Sequence, residues 1–207
     1  MDTKPTLIGI AGGSCSGKTT LARNAAKALG PHRCSLIAQD NYYFDVRILC
    51  PDGGLPDFDA PTSLEFSLLA RHLAALKQGD AVDIPTYDFT VHQRREETVR
   101  VEPRPIVILE GILILSQPEI RAQLDHSVFL RCEKHLRLAR RIARDVAERG
   151  RTEEGVLAQF YETVEPSQTT WVDPSSAHAS RVIEQDEYLN GGDDLIKELI
   201  AQWTASK

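Results

Sequence analysis

Gly12-Gly13-Ser14-Cys15-Ser16-Gly17-Lys18-Thr19 fits the pattern G-x-x-x-x-G-K-[ST]. Its flanks suit it. Residues 6–11 read as a buried strand, and 19–29 as a helix with Leu21, Ala25, Ala28 and Leu29 on its inner side. Strand, glycine loop and helix in that order form a phosphate-binding loop. Gly12, Gly13 and Gly17 let backbone amides turn inward without Cβ clashes. Those amides meet the positive end of the following helix and hold a polyphosphate. Lys18 supplies a point charge to the outer phosphates, and Thr19 a hydroxyl to Mg²⁺. A nucleoside-triphosphate site is the expectation.

Outward from the loop, further acids fall at predicted strand ends. Residues 34–38 form a short apolar strand followed by Gln39-Asp40-Asn41-Tyr42-Tyr43. In open α/β sheets ligands sit at the carboxyl ends of strands. Asp40 is thus placed to orient or deprotonate an attacking hydroxyl, to ligate Mg²⁺, or only to cap a turn. Residues 105–111 form the clearest buried strand, ending in Glu110-Gly111. An acid beside the phosphate loop is the second Mg²⁺ partner in such folds, so Glu110 is a metal candidate. Thr62-Ser63-Leu64-Glu65 reads as a capping box opening a helix to about residue 78. Residues 82–102 read as two antiparallel strands, a small lobe outside the parallel sheet. Its Tyr87, Phe89 and His92 either line a pocket for a flat ring or form a supporting cluster.

Arg137, Arg140, Arg141 and Arg144 share one helical stripe, with Leu138, Ile142 and Val146 on another. The basic stripe is either a solvated face paired with Asp145 and Glu148 or a lid that neutralises charge during phosphoryl transfer, bending at Gly150. Residues 152–164, containing Gln159, form the lid's other arm. A last strand falls at 181–183 and a terminal helix at 193–203, with Leu195, Leu199 and Trp203 inward.

The fold class expected is α/β: a three-layer P-loop kinase fold with a mostly parallel central sheet, a β-hairpin substrate lobe and a helical lid. The 207 residues suit a single domain, 1–207, with the lobe at about 82–102 and the lid at about 137–165. Net charge of −6 argues against nucleic acid or an anionic membrane as the main partner. No apolar run approaches a membrane span, and Met1 to Pro5 contain no apolar signal region. Cys15, Cys34, Cys50 and Cys132 form no C-x-x-C pair, so the cytoplasm is expected. Cys15, beside inward amides and Lys18, is expected to react with thiol reagents and to be protected by ATP.

Most of the chain, about 6–174, resembles the uridine kinase (uridine–cytidine kinase) family. The resemblance rests on residues 12–20, 39–43, Phe58-Asp59-Ala60-Pro61, 84–92, 110–113 and the run Arg140 to Arg151. It implies transfer of the ATP γ-phosphate to the 5′-hydroxyl of uridine or cytidine with Mg²⁺, as in pyrimidine salvage. Gly12, Gly13, Ser14, Cys15, Ser16, Gly17, Lys18, Thr19, Thr20 and Arg149 would then bind ATP. Asp40 would be the base, with Lys18 and Arg144 aiding transfer. Tyr43, Asp59, Tyr87, Phe89, His92, Arg141, Arg151 and Gln159 would bind substrate, and Thr19, Glu110 and Asp40 the metal. A homo-oligomer, commonly a tetramer, is implied as well. The family's His-Pro after the ribose aspartate is Ala60-Pro61 here, and the match weakens after Pro174, in the segment near the adenine. Other acceptors, such as nicotinamide riboside, pantothenate or a sugar phosphate, keep the same chemistry; the absence of a cluster of extra basic residues argues against a phosphorylated one. A nucleotide-binding regulator without turnover is the non-enzyme alternative.

Overall fold

Strand β1 (Thr6–Gly12) is buried at every position. It lies at the centre of a five-stranded parallel sheet ordered β2-β5-β1-β6-β7. The other strands are β2 (Cys34–Ala38), β5 (Ile106–Gly111), β6 (His126–Arg131) and β7 (Arg181–Glu184). The computed structural model describes residues 4–205, so Met1 to Thr3 of the expected N-terminal segment lie outside the described residues. Alternation along the strands sends side chains to two cores. Leu7, Ala11, Val107, Leu109 and Phe129 pack on helix α2 (Phe66–Gln78) through Leu69, Leu73 and Leu76. Ile8, Ile10, Ile108, Val128 and Leu130 pack on α1 (Lys18–Leu29) and on the terminal helix through Leu195, Leu199 and Trp203.

Register sets the site. Ile10 of β1 and Ala38 of β2 both lie level with Glu110. Asp40, in a 3₁₀ turn at Gln39–Tyr42, follows just beyond β2. The chain leaves β1 toward one face with α1 and leaves β5 toward the other with Ile112 to Leu115, which stay buried. The crevice between such divergent connections is where open α/β sheets bind ligands.

Strands β3 (Val82–Asp88) and β4 (Gln93–Val101) form a separate antiparallel pair with a bulge between Pro85 and Tyr87. The second strand starts four residues before the expected Glu97, because Arg94 is drawn onto the Tyr42 and Tyr43 carbonyls and Glu65.

Four expectations are corrected. Ala28 of α1 is exposed and Ala22 is buried instead, since the inward stripe centres between Leu21 and Ala22. The capping box does not form: Ser63 donates to the Asp57 carbonyl, Glu65 pairs with Arg94, and α2 starts at Phe66. The terminal helix runs Gln185–Ala205 with a kink at Gly191, longer than the expected 193–203. The helical run after Arg151 continues past 164 through 153–178. Its π turns at Phe160–Val164 and Gln168–Val172 each precede a proline, Pro166 or Pro174, and their wider winding accommodates the missing N–H.

The arginine helix α3 (Lys134–Arg149) is turned inside out relative to its hydropathy. Arg137, Arg141 and Asp145 are its buried residues, while Val146 is 45% exposed. Charge goes inward because partners wait there. Arg137 pairs with Glu165, Arg141 donates to Ser14, and Asp145, with no exposed surface, gathers the following arginines.

Candidate active site

One cleft at the carboxyl edge of the sheet brings the expected groups together. It is lined by Ser14, Lys18 and Thr19 of the phosphate loop, by Asp40, and by Asp59 and Tyr43. The hairpin contributes Tyr87, Phe89 and His92, and the helical side Arg141, Arg144, Arg149, Arg151 and Gln159. Gly17 caps α1 at φ 103°, the left-handed geometry that aims the following amides into the loop.

At the loop's foot Thr19 Oγ1 donates to Glu110 Oε2 at 3.1 Å. Burial raises the Glu110 pKa; Lys18 opposes the rise and Asp40 adds to it. Among the described residues no group of three or more His, Cys, Asp or Glu is arranged to hold a metal. A hydroxyl and two carboxylates are oxygen donors, and they suit a cation that takes one or two protein ligands and completes its shell with phosphate and water.

At the other end, Phe58 stacks on His92 with centroids 4.5 Å apart. Tyr43 lies 5.5 Å from Tyr87, and Tyr87 5.2 Å from Phe89. The Tyr87 hydroxyl is buried without a hydrogen-bond partner among the described residues. His92 sits at φ 55°, where a non-glycine residue costs about 1 kcal/mol. Burial, then Arg151 and Arg149, lower its pKa, which favours the neutral ring. Asp59 is buried, not the solvated turn residue its loop position suggests in isolation. Burial raises its pKa against the pull of Arg141.

Asp145 organises the basic wall. Its carboxylate lies 2.8 Å from Arg144 Nε, 3.4 Å from Arg151 Nη1, 3.6 Å from Arg149 Nη1 and 3.7 Å from Arg141 Nε. Gln159 Oε1 accepts from Arg151 at 2.6 Å and from Arg141 at 3.1 Å. Gly150, at φ 64°, makes the expected bend. The cleft gathers Arg141, Arg144, Arg149 and Arg151, the arginines of the expected lid run. The Arg149 guanidinium lies over the Phe89 ring, 5.6 Å from the centroid.

A second groove continues from the loop. Cys15, Ser16, Gly17, Lys18, Thr19 and Thr20 line it with Arg140, Arg144, Gln185, Tyr188 and Leu189. The segment that departs from the family pattern thus faces the outer side of the phosphate loop. Phe58 lines the cleft as well, and its place beside Asp59 in the sequence is the signal that could have found it.

A phosphate loop at the switch point, acids at two neighbouring strand ends and an arginine helix closing over them define a P-loop kinase. The fold agrees with solved structures. It matches a phosphoribulokinase from Rhodobacter spheroides with a TM-score of 0.66 at 16% identity, covering 87% of this chain and 70% of that one. It matches a D-glycerate 3-kinase from Cryptococcus neoformans with a TM-score of 0.63 at 18% identity, covering 89% and 87%. A model of the phosphoribulokinase / uridine kinase family matches residues 7–187, and the chain belongs to that family. It is 41% identical over 199 residues to a uridine kinase of Shewanella halifaxensis, covering 94% of each chain. It is 39% identical to a uridine kinase of Brevibacillus brevis over 197 residues, covering 95% and 92%. With a uridine kinase of Salmonella paratyphi B it shares 38% over 202 residues, covering 95% of each.

Proposed function

We propose that this protein is an ATP-dependent uridine kinase, phosphorylating the 5′-hydroxyl of uridine, cytidine or both. The observation that carries the reading is the single cleft into which the phosphate loop, Asp40 and an aromatic-walled pocket all open. The relatives named uridine kinase support it over nearly full length.

In this reading the pyrimidine lies against Tyr87, Phe89 and His92, near Tyr43, and the ribose hydroxyls meet Asp59. The 5′-hydroxyl then faces Asp40, which takes its proton as the new O–P bond forms and the bond to the β-phosphate oxygen breaks, releasing ADP. Lys18 and Arg144 sit where charge develops on the transferred group. Arg141, Arg151 and Gln159 hold the acceptor end. Thr19 and Glu110, with Asp40, would hold Mg²⁺, which neutralises phosphate charge when bound. The whole chain acts as one domain, in the cytoplasm and as a homo-oligomer, a tetramer in keeping with the family resemblance.

The test is ADP release with ATP and Mg²⁺ over uridine, cytidine, thymidine, adenosine and nicotinamide riboside, with Lys18→Ala as the blank. Turnover confined to uridine and cytidine is expected, with Asp40→Asn losing most of it while still binding ATP. No turnover on the pyrimidine nucleosides, with ATP bound, would overturn the reading.

A further inference from the structure

The 153–178 run does more than extend the lid. Gln168, 5% exposed, lies directly against Gly13 of the phosphate loop. A Cβ on Gly13 would stand 2.5 Å from Gln168 Oε1 and 3.0 Å from Cδ and Nε2, and no other residue's atoms rank among its three nearest neighbours. Gly12 and Gly17 have left-handed φ values, and Gly13 does not. Glycine at 13 therefore answers a close approach, not a backbone conformation.

The Gln168 amide is pinned on both sides. Its Oε1 accepts from Arg137 Nη1 at 3.3 Å, and its Nε2 donates to Asp173 Oδ1 at 2.6 Å. Arg137 is 3% exposed and is held in turn by Glu165 at 2.9 Å. The π turn makes the Asp173 contact possible. Residues five apart stack in a π turn, where the Asp173 N–H bonds the Gln168 carbonyl, whereas a regular α-helix would set them on different faces. The neighbouring arginines dock on the same loop: Arg140 donates to the Cys15 and Ser16 carbonyls at 3.5 and 3.4 Å, and Arg141 to Ser14 Oγ at 2.9 Å.

We propose that Gln168 is a positioning residue for the donor-phosphate loop, a fixed stop that sets where Gly13 and its neighbours lie relative to the ATP phosphates. The proposal rests on the kinase reading above. It acts through the loop and touches neither the acceptor pocket nor the hairpin. Gln168→Ala should lower kcat/KM for ATP about tenfold, with the KM for uridine within about twofold of wild type, since small displacements of reacting groups carry such costs.

The decisive experiment is a double-mutant cycle with Gly13→Ala. Gly13→Ala alone pushes its methyl into the pinned amide and should lose about a hundredfold in kcat/KM for ATP. Adding Gln168→Ala removes the obstacle, and the double variant should regain at least about tenfold over Gly13→Ala. A double variant no better than Gly13→Ala overturns the proposal. If Gly13→Ala does not melt cooperatively, recovery of a cooperative melt in the double variant carries the same conclusion, and its failure the same refutation. If the wild type binds ATP but does not phosphorylate pyrimidine nucleosides, the kinase reading fails separately, and the cycle is read from ATP dissociation constants.

Discussion

Replacing Asp145 with Asn tests how the basic wall is held. The carboxylate is fully buried and faces arginines whose side chains are 7%, 31%, 32% and 25% exposed, in the order Arg141, Arg144, Arg149, Arg151. Removing one member of a fully buried pair costs about 3–5 kcal/mol. Three of these partners keep a quarter to a third of their exposure, so solvent screens them and each contributes at most about 1 kcal/mol. The expected loss is about 2–4 kcal/mol, because asparagine keeps the volume but turns an NH₂ toward guanidinium donors. For a chain of this size that lowers Tm by roughly 5–15 °C. Released arginines no longer aim at one point, and turnover should fall about a hundredfold. Circular dichroism melts and steady-state ADP release measure both. A Tm within about 2 °C of wild type together with kcat/KM within about threefold would refute the reasoning.

The remaining tests address single groups. Burial raises the Glu110 pKa above the ordinary 4.5, so its ionisation opposes folding. The stability it contributes is full below 4.5 and lost as pH rises through the raised pKa. Glu110→Gln should therefore be inactive yet melt higher than wild type at pH 7, with the gap closing as pH falls toward 4.5; a lower melt at pH 7 would contradict this. His92→Ala removes the ring stacked on Phe58 and should raise the KM for uridine roughly three- to tenfold, leaving that for ATP unchanged. His92→Asn, which tolerates the left-handed backbone, separates loss of the ring from relief of strain. Cys15 lines the groove beside the phosphate loop, so thiol reagents should inactivate the enzyme and ATP should slow them; equal rates with and without ATP would place the reactive thiol elsewhere.

Much of the fold was legible because its signals are local. The phosphate loop, Glu110 at the end of an apolar strand and the alternating hairpin each lie within a few consecutive residues. The failures have a common cause in distant partners. Thr62 to Glu65 carries a capping-box pattern, but Arg94 and Asp57 claim its side chains. Hydropathy turns the arginine helix the wrong way, since burying Arg137 and Arg141 is tolerable only with Glu165, Ser14 and Gln159 in place. The lid arm is expected to stop at 164, yet π turns carry the helical run past Pro166 and Pro174. Nothing near Gln168 in sequence announces Gly13.

The place of β1 in the sheet has a consequence for synthesis. Its neighbours are β5, beginning at Ile106, and β6, ending at Arg131, so neither edge of β1 is paired by residues made soon after it. Chains elongate at about 5–20 residues per second, so roughly 5–20 s pass between emergence of Gly12 and of its first partner strand. During that interval Thr6 to Gly12 is an apolar segment with both edges open, which suits it as a chaperone's early target. The sheet edge that carries the nucleotide site is complete only once β5 and β6 have both been made.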